Sequence, residues 1–560
     1  MQVANAHSES RPSKTFWVEW LCVAIVGAFG FLFSTSFTIL NPRNTTWLRW
    51  GDSAQHYLGW EFFRRSELLQ FPIGNNPSFG QGFSSTIFFS DSIPLLAIPL
   101  KYLLRPISGD FQYFGIWIMA CFLLQAIFSF KIISRFVNYP FLRILIICFF
   151  CITPAFIFRF SIDGFGHFAL GSHFLILWAI DTYLKSQNER KHWFWVLVCA
   201  CFIQPYMFLI ILPIFLASEM RAIFSSDSKS EQVITSLVHF VKIGVGISVL
   251  LFVFGGLSIG GLEGDRLTTF RATLTSLIDA SPTFSTSWSS LLRDIPAEGG
   301  TNEGFAFLGL GVLIVLLLVF LRKIVDLSFF IPGVLVPLFI AAVVSFVISL
   351  SPQIGLGSHD LFKIPTGQYV YSAWSIARSA GRFIWVPMYL TMIWTFVMVV
   401  KFFHRQLIRL SFFLVVILVL QIFDGREAFS ESRERFVHSE ILHSDQTIWN
   451  KLASGKKHLI VIPSLNNDPE WVDLAFLANR HNMTTNAASI DRINKSKLSQ
   501  FDAKLQIDLE NFRFKTDTLY VITDYPPNPF RNNLIKYFDS PRLPFQIYVL
   551  NDLLVISAKS

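Results

Sequence analysis

A chain of 560 residues that is 52% hydrophobic and only 15% charged, with mean hydropathy +0.49, is too apolar for a water-soluble globule. It must use lipid as solvent over much of its length. The formal charge of +8 does not point to nucleic acid, because the basic residues stand in short clusters between apolar runs and act there as topology signals. All six cysteines (Cys22, Cys121, Cys148, Cys151, Cys199 and Cys201) lie in apolar runs, which argues against a disulfide framework and a thiolate metal site.

A membrane helix needs about 20 apolar residues. The first runs from Phe16 to Leu40, too long for a signal-peptide core, and Arg11 and Lys14 before it place residues 1–15 in the cytoplasm. Residues 41–112 then form a long outside loop with two surface helices. One begins near Asp52 and runs to Leu69; the other, Ile93 to Leu104, carries Pro94 and Pro99 and is too short to span. That choice sends Lys131 and Arg135 to the cytoplasm, and later loops then follow the positive-inside pattern.

Helices two and three are expected at 112–134 and 142–160, with the short outside loop SIDGFGHFALGSH (161–173) after them. Helix four, 169–184, returns to the cytoplasmic KSQNERKH, and 193–217, with Pro205 and Pro213, reads as two shorter helices. Helix seven is 236–258, followed by an outside loop 259–303 and helices eight (305–322) and nine (329–350). A third outside loop, 351–382, precedes helix ten, which ends at Lys401 and Arg405, and helix eleven is 407–423. The expected fold is thus an α-helical polytopic membrane protein with about eleven transmembrane helices over 16–423. Residues 424–560 read as a separate extracytoplasmic α/β domain. Its strands are HLIVIPS and TLYVITD, its helix EWVDLAFLANRH, and its terminal hairpin turns at Asn551-Asp552.

Three acidic residues fall on outside loops: Asp52, Asp91 and Asp163. A carboxylate at the membrane surface can take a proton from an attacking hydroxyl, although Asp52 and Asp91 also suit helix N-caps. His56 follows Asp52 by one turn. His167 and His173 offer metal ligands beside Asp163, but without an HExxH-type spacing they read better as hydrogen-bonding residues. Arg378 and Arg382, spaced i, i+4 with Lys363 and His359 upstream, would present two guanidiniums on one helix face and grip a phosphate; the plainer alternative is snorkelling toward lipid head groups. Walker A, GxGxxG and GxSxG motifs are all missing from the sequence, and no helix carries a ladder of charges.

The segments GDSAQHYLGWEFFR, PIGNNPSFG, FFSDSIPLLAIPLKYL, FQYFGIW and ARSAGRFIW give residues 50–400 a layout that resembles the GT-C superfamily of polyprenyl-phosphate-dependent glycosyltransferases. They look most like an uncharacterised bacterial membrane family within it. The resemblance implies a glycosyltransferase of the bacterial inner membrane that moves a sugar from a polyprenyl-phosphate donor to a lipid, glycan or protein acceptor at the outer face. It makes Asp52 the catalytic base or acceptor-positioning group, Asp91 and Asp163 further acidic site residues, and Arg382 or Arg378 the residue meeting the lipid phosphate. His56, His167 and Lys363 would complete substrate binding. The first loop lacks an adjacent acidic pair, since Gly51 and Ser53 flank Asp52, so a metal-independent site is expected, with a divalent ion left open. The rival readings are a flippase for lipid-linked glycans, which calls for mid-membrane charges and paired halves, and a non-catalytic subunit of a polysaccharide assembly complex.

Overall fold

In the computed structural model the long apolar runs are helices, the form in which a single segment satisfies every backbone polar group without water. Described are residues 14–82, 85–104, 107–161, 166–185, 190–257, 267–281, 286–296, 299–326, 333–376, 378–437, 441–464, 471–490, 495–523 and 545–558. The helices in order are α1 (Lys14–Ser34), α2 (Gly51–Arg65), α3 (Pro94–Leu104), α4 (Phe114–Ile133), α5 (Pro140–Cys151), α6 (Pro154–Phe158), α7 (Phe174–Leu184), α8 (Lys191–Ile203), α9 (Pro205–Phe224) and α10 (Lys229–Phe254). They continue with α11 (Leu310–Asp326), α12 (Val336–Leu350), α13 (Gln368–Ser375), α14 (Trp385–Phe402), α15 (Leu407–Asp424), α16 (Arg426–Glu434), α17 (Thr447–Ala453), α18 (Trp471–Arg480) and α19 (Lys495–Glu510).

Among the described residues, seven helices are long and apolar enough to cross a membrane: those at 16–34, 114–133, 205–224, 229–254, 333–350, 380–402 and 407–424. The protein is therefore a mostly helical membrane protein, but the expected count of eleven is not reproduced. Four shorter apolar helices, α3, α5, α7 and α8, stand beside the seven. The third expected span is broken at Thr153-Pro154 into α5 and α6, because Pro154 lacks the N–H that would continue the ladder. The expected helix four begins later, at Phe174, after turns that fill 166–173.

The short α3 lies against α2 and α8. At 11 residues it extends only about 16 Å, half a hydrocarbon core. Its Lys101 is fully buried and donates to Ser66 Oγ (2.7 Å) and the Glu67 carbonyl (2.7 Å). The ends of α4 and α7 meet at one end of the bundle, where Lys131, Arg135 and Lys185 stand together and Arg221 of α9 donates to the Tyr183 and Lys185 carbonyls. The loops carrying Asp52, Asp91 and Arg382 lie at the other end, beside the starts of α4 and α9.

The C-terminal region contains a five-stranded sheet of β3 (His458–Ile462), β4 (Thr484–Thr485), β5 (Thr518–Ile522), β6 (Phe545–Leu550) and β7 (Leu553–Ala558), in the order β4-β3-β5-β7-β6. Strands β3, β4 and β5 are parallel, while β7 pairs antiparallel with both β5 and β6. The β6–β7 hairpin turns at Asn551 (φ 49°) and Asp552 (φ 63°), both left-handed, as a tight hairpin turn demands. A separate antiparallel pair, β1 (Gln353–Leu356) and β2 (His359–Lys363), precedes α13 in the loop before α14.

Candidate active site

The centre of the end of the bundle that carries the Asp52, Asp91 and Arg382 loops is built on α2. Asp52 sits in its first turn, after Trp50 at the cap position, and is half-buried. One turn on, His56 is fully buried and donates from Nδ1 to the Asp91 carbonyl, while its ring stacks on Phe168 at 5.4 Å between centroids. Asp91 caps no helix: it lies in a tight turn before α3 with φ at 51°, and Ile93 follows at 53°. This turn packs directly on the α2 backbone at Gly59, where an added Cβ would stand 2.3 Å from Ser90 Cβ and Oγ. Ser92 Oγ donates to the His56 carbonyl at 2.7 Å, so the strained turn is tied to the helix it faces.

The Asp91 carboxylate is buried and held from two further elements. Oδ1 accepts from Gln204 Nε2 at the entry of α9 (2.8 Å), and Oδ2 lies 3.3 Å from His167 Nε2 in the second loop. Arg435 closes the same corner from beyond α16. It donates to the Phe160 and Ser161 carbonyls (3.2 and 2.7 Å) and to Ser53 Oγ (2.9 Å), next to Asp52.

A second charged cluster adjoins the first. Glu303, in the short 3-10 turn 301–304, receives Arg382 through both oxygens: Nε to Oε2 and Nη2 to Oε1, each 2.9 Å. Arg159, at the end of α6, reaches Oε2 at 2.9 Å and also bonds the Glu303 carbonyl at 3.0 Å. Both guanidiniums are buried; Arg382 lies over the Tyr206 ring (4.5 Å) and Arg159 over Trp385 (4.8 Å). Two glycines make this approach possible. A Cβ on Gly381 would stand 2.8 Å from Gly304 Cα, and one on Gly304 would stand 2.6 Å from Ala272 Cα. Burial alone would raise the Glu303 carboxyl, but Arg382 and Arg159 outweigh it and hold the group well below the usual carboxylate range. The two clusters are electrostatically joined: Asp52 acts on Arg159, Asp91 on Arg382, and His167 on Glu303.

The structure thus brings together Asp52, His56, Asp91, His167 and Arg382 out of the residues singled out in the sequence. Asp163 lies outside the described residues. Lys363 ends the exposed strand β2, where its backbone registers with Gln353. Arg378 is half-buried in a turn, and the helical face expected for it and Arg382 does not form, because α13 ends at Ser375 and a 3-10 helix starts at Ala380. His173 is turned away and shares a buried hydrogen bond with Tyr389 (2.9 Å), the structural role read for it. Arg159, Gln204, Tyr206 and Glu303 are additions that sequence reasoning missed. Arg159 alone carried a signal: an arginine inside an apolar run, FIFRF, needs a partner.

A family model described as "Domain of unknown function (DUF6311)" matches residues 24–426, and "DUF6311 C-terminal domain" matches 448–556. No curated protein matches the chain. Among solved structures, the Archaeoglobus fulgidus oligosaccharyltransferase in the apo form is 10% identical, with TM-score 0.40, covering 91% of this chain and 70% of that one. The same enzyme tethered to an acceptor peptide containing an NVT sequon is 11% identical, with TM-score 0.45 and coverage of 91% and 69%. Its complex with an inhibitory peptide and a dolichol-phosphate gives 10%, 0.42, 91% and 70%.

Proposed function

We propose, for a chain that belongs to the DUF6311 family, a glycosyl transfer reaction from a polyprenyl-phosphate-linked donor to a lipid, glycan or protein hydroxyl or amide at the outer membrane face. The observation that carries this reading is the meeting of carboxylates and guanidiniums from four separate loops at one end of the helical bundle: Asp52 and Asp91, His167, Glu303, and Arg382. In this scheme the half-buried Asp52 takes the acceptor's proton as the acceptor attacks the anomeric carbon. The bond to the phosphate oxygen breaks on the opposite side of the sugar, inverting its configuration. The departing phosphate carries the developing negative charge, which Arg378 and Arg382 stabilise. Asp91, fixed by Gln204 and His167, orients the acceptor together with Asp163. Glu303 is a positioning residue that holds Arg382 and Arg159 in one geometry. His56 fixes the Asp91 turn, and Lys363 meets the donor from the loop before α14.

Further parts of the proposal are that transfer needs no bound metal, that residues 1–15 are cytoplasmic, and that 16–423 form a GT-C-like catalytic unit. The final part is that 424–560 form an extracytoplasmic domain, with the whole in a bacterial inner membrane. The acidic groups of the site are already compensated by protein cations, which supports metal-free transfer: the partly buried Glu303 by two guanidiniums and the buried Asp91 by His167. The decisive experiment is Asp52→Asn in reconstituted membranes supplied with lipid-linked sugar. Transfer should be abolished while thermal unfolding stays unchanged; retained transfer in a folded variant rejects the assignment.

A further inference from the structure

Four helix ends meet at the opposite end of the bundle from the candidate active site: the start of α1, the end of α4, the start of α5 and the end of α7. Between them lies a cavity of about 590 Å³, lined by Lys131, Arg135, Arg143 and Lys185 with Glu19 and Asp181. Its other wall is aromatic: Phe16, Trp20 and Phe130, with Trp20 edge-on to Phe130 at 5.1 Å.

The two carboxylates are spoken for. Arg135 bonds Asp181 Oδ1 through Nη2 (2.7 Å) and Nε (3.2 Å), Lys185 stands 3.8 Å from Asp181 Oδ2, and Arg143 reaches Glu19 at 2.9 Å. Four cations against two carboxylates leave two positive charges in excess, and Lys131 is exposed with its ammonium over the Phe128 ring at 5.0 Å. Ser134 also lines the cavity, and its hydroxyl is buried without a hydrogen-bond partner among the described residues. The site therefore offers excess positive charge and an unused hydroxyl beside an apolar wall. Large apolar side chains stand exposed around it, including Trp17 and Phe141. A free phosphate ion would use the cations and leave the aromatic wall idle. A lipid uses both.

We propose that this cavity binds the phosphate headgroup of an anionic phospholipid, its acyl chains lying along Phe16, Trp20 and Phe130. Basic pockets between helix ends on the cytoplasmic side are suited to such headgroups, and the ion-paired Arg135 and Arg143 keep their guanidiniums fixed without having to be ordered on binding. The site is independent of the transfer chemistry at the other end.

The test uses the full chain in detergent and native mass spectrometry of retained lipid, with phosphatidylglycerol and phosphatidylcholine offered together. Phosphatidylglycerol should be retained about fivefold more, and Lys131→Gln combined with Arg143→Gln should remove that preference. Lys131→Gln alone, at an exposed residue outside the ion pairs, should lower retention about twofold without changing thermal unfolding, and it decides the matter if the double variant misfolds. Equal retention of the two lipids, or unchanged retention in folded Lys131→Gln, overturns the proposal. So does displacement of bound phosphatidylglycerol by millimolar inorganic phosphate, which would identify a soluble anion as the occupant.

Discussion

Replacing Glu303 by Gln removes the one negative charge lying between two buried guanidiniums. Three contacts of 2.9 Å join its carboxylate to Arg382 and Arg159. Hydrogen bonds to charged groups contribute about 1.5–3 kcal/mol each, net of the bonds to water they replace. Removing one partner of a buried ion pair typically costs about 3–5 kcal/mol, because the other charge stays behind uncompensated. Gln keeps the volume and one acceptor oxygen, so the loss should fall at the low end, about 3 kcal/mol. Glu427→Gln is the control: its pair with Arg426 spans 3.3 Å with both side chains roughly half-exposed or more, and the expected loss is below about 1 kcal/mol. Heat-inactivation half-lives in detergent compare the variants without requiring reversible unfolding. The double variant Glu303→Gln, Arg382→Gln should be less harmful than the sum of its parts by about 1–3 kcal/mol. A loss matching the Glu427→Gln control, or strict additivity, would refute the argument. The same contacts predict a pH dependence. A carboxyl held below its ordinary value contributes stability that is present above the unfolded value near 4.3 and is lost as pH falls through it toward the folded value. Wild type should lose stability steeply below about pH 5, and Glu303→Gln should lose less over that range.

Gly59→Ala should cost about 1–3 kcal/mol by overpacking, since its Cβ would meet Ser90 and Ser92 at 2.3–2.7 Å; a thermal unfolding scan measures this. If the Ser90–Ser92 turn yields instead, Asp91 moves with it, and transfer should fall while stability is kept. Exhaustive dialysis against EDTA should leave the rate of sugar transfer unchanged. Loss of activity that Mn²⁺ or Mg²⁺ restores would reverse the metal-independent part of the proposal.

The long spans were legible because continuous apolar runs near 20 residues have few other solutions, and α3 was legible as a short helix because the apolar run around its two prolines is brief. The tail strands followed from β-branched runs and the Asn551-Asp552 turn. The break at Pro154 was written in the sequence but hidden by apolar residues on both sides. The Glu303 centre was beyond reach for a different reason. Its partners lie 144 and 79 residues away, and one sequence contains no periodicity that pairs residues at such separations. Asp91 was picked out for its charge, whereas its left-handed backbone and its grip on His56 come from packing against Gly59.

The pairing of Thr485 with residues 78–81 has its own consequence. Thr485 donates to the Ser78 carbonyl (3.0 Å) and accepts from Gly80 and Gln81 (3.0 and 2.9 Å), and β4 is the outermost strand of its sheet. The first extramembrane loop therefore acts as a stopper on a surface that would otherwise recruit strands from other molecules. Cut free and expressed as 448–556, the tail should self-associate at that margin in gel filtration, and a peptide spanning 76–82 should return it to monomers. Within the full chain the β4 margin of the sheet is thus covered by the bundle's own loop.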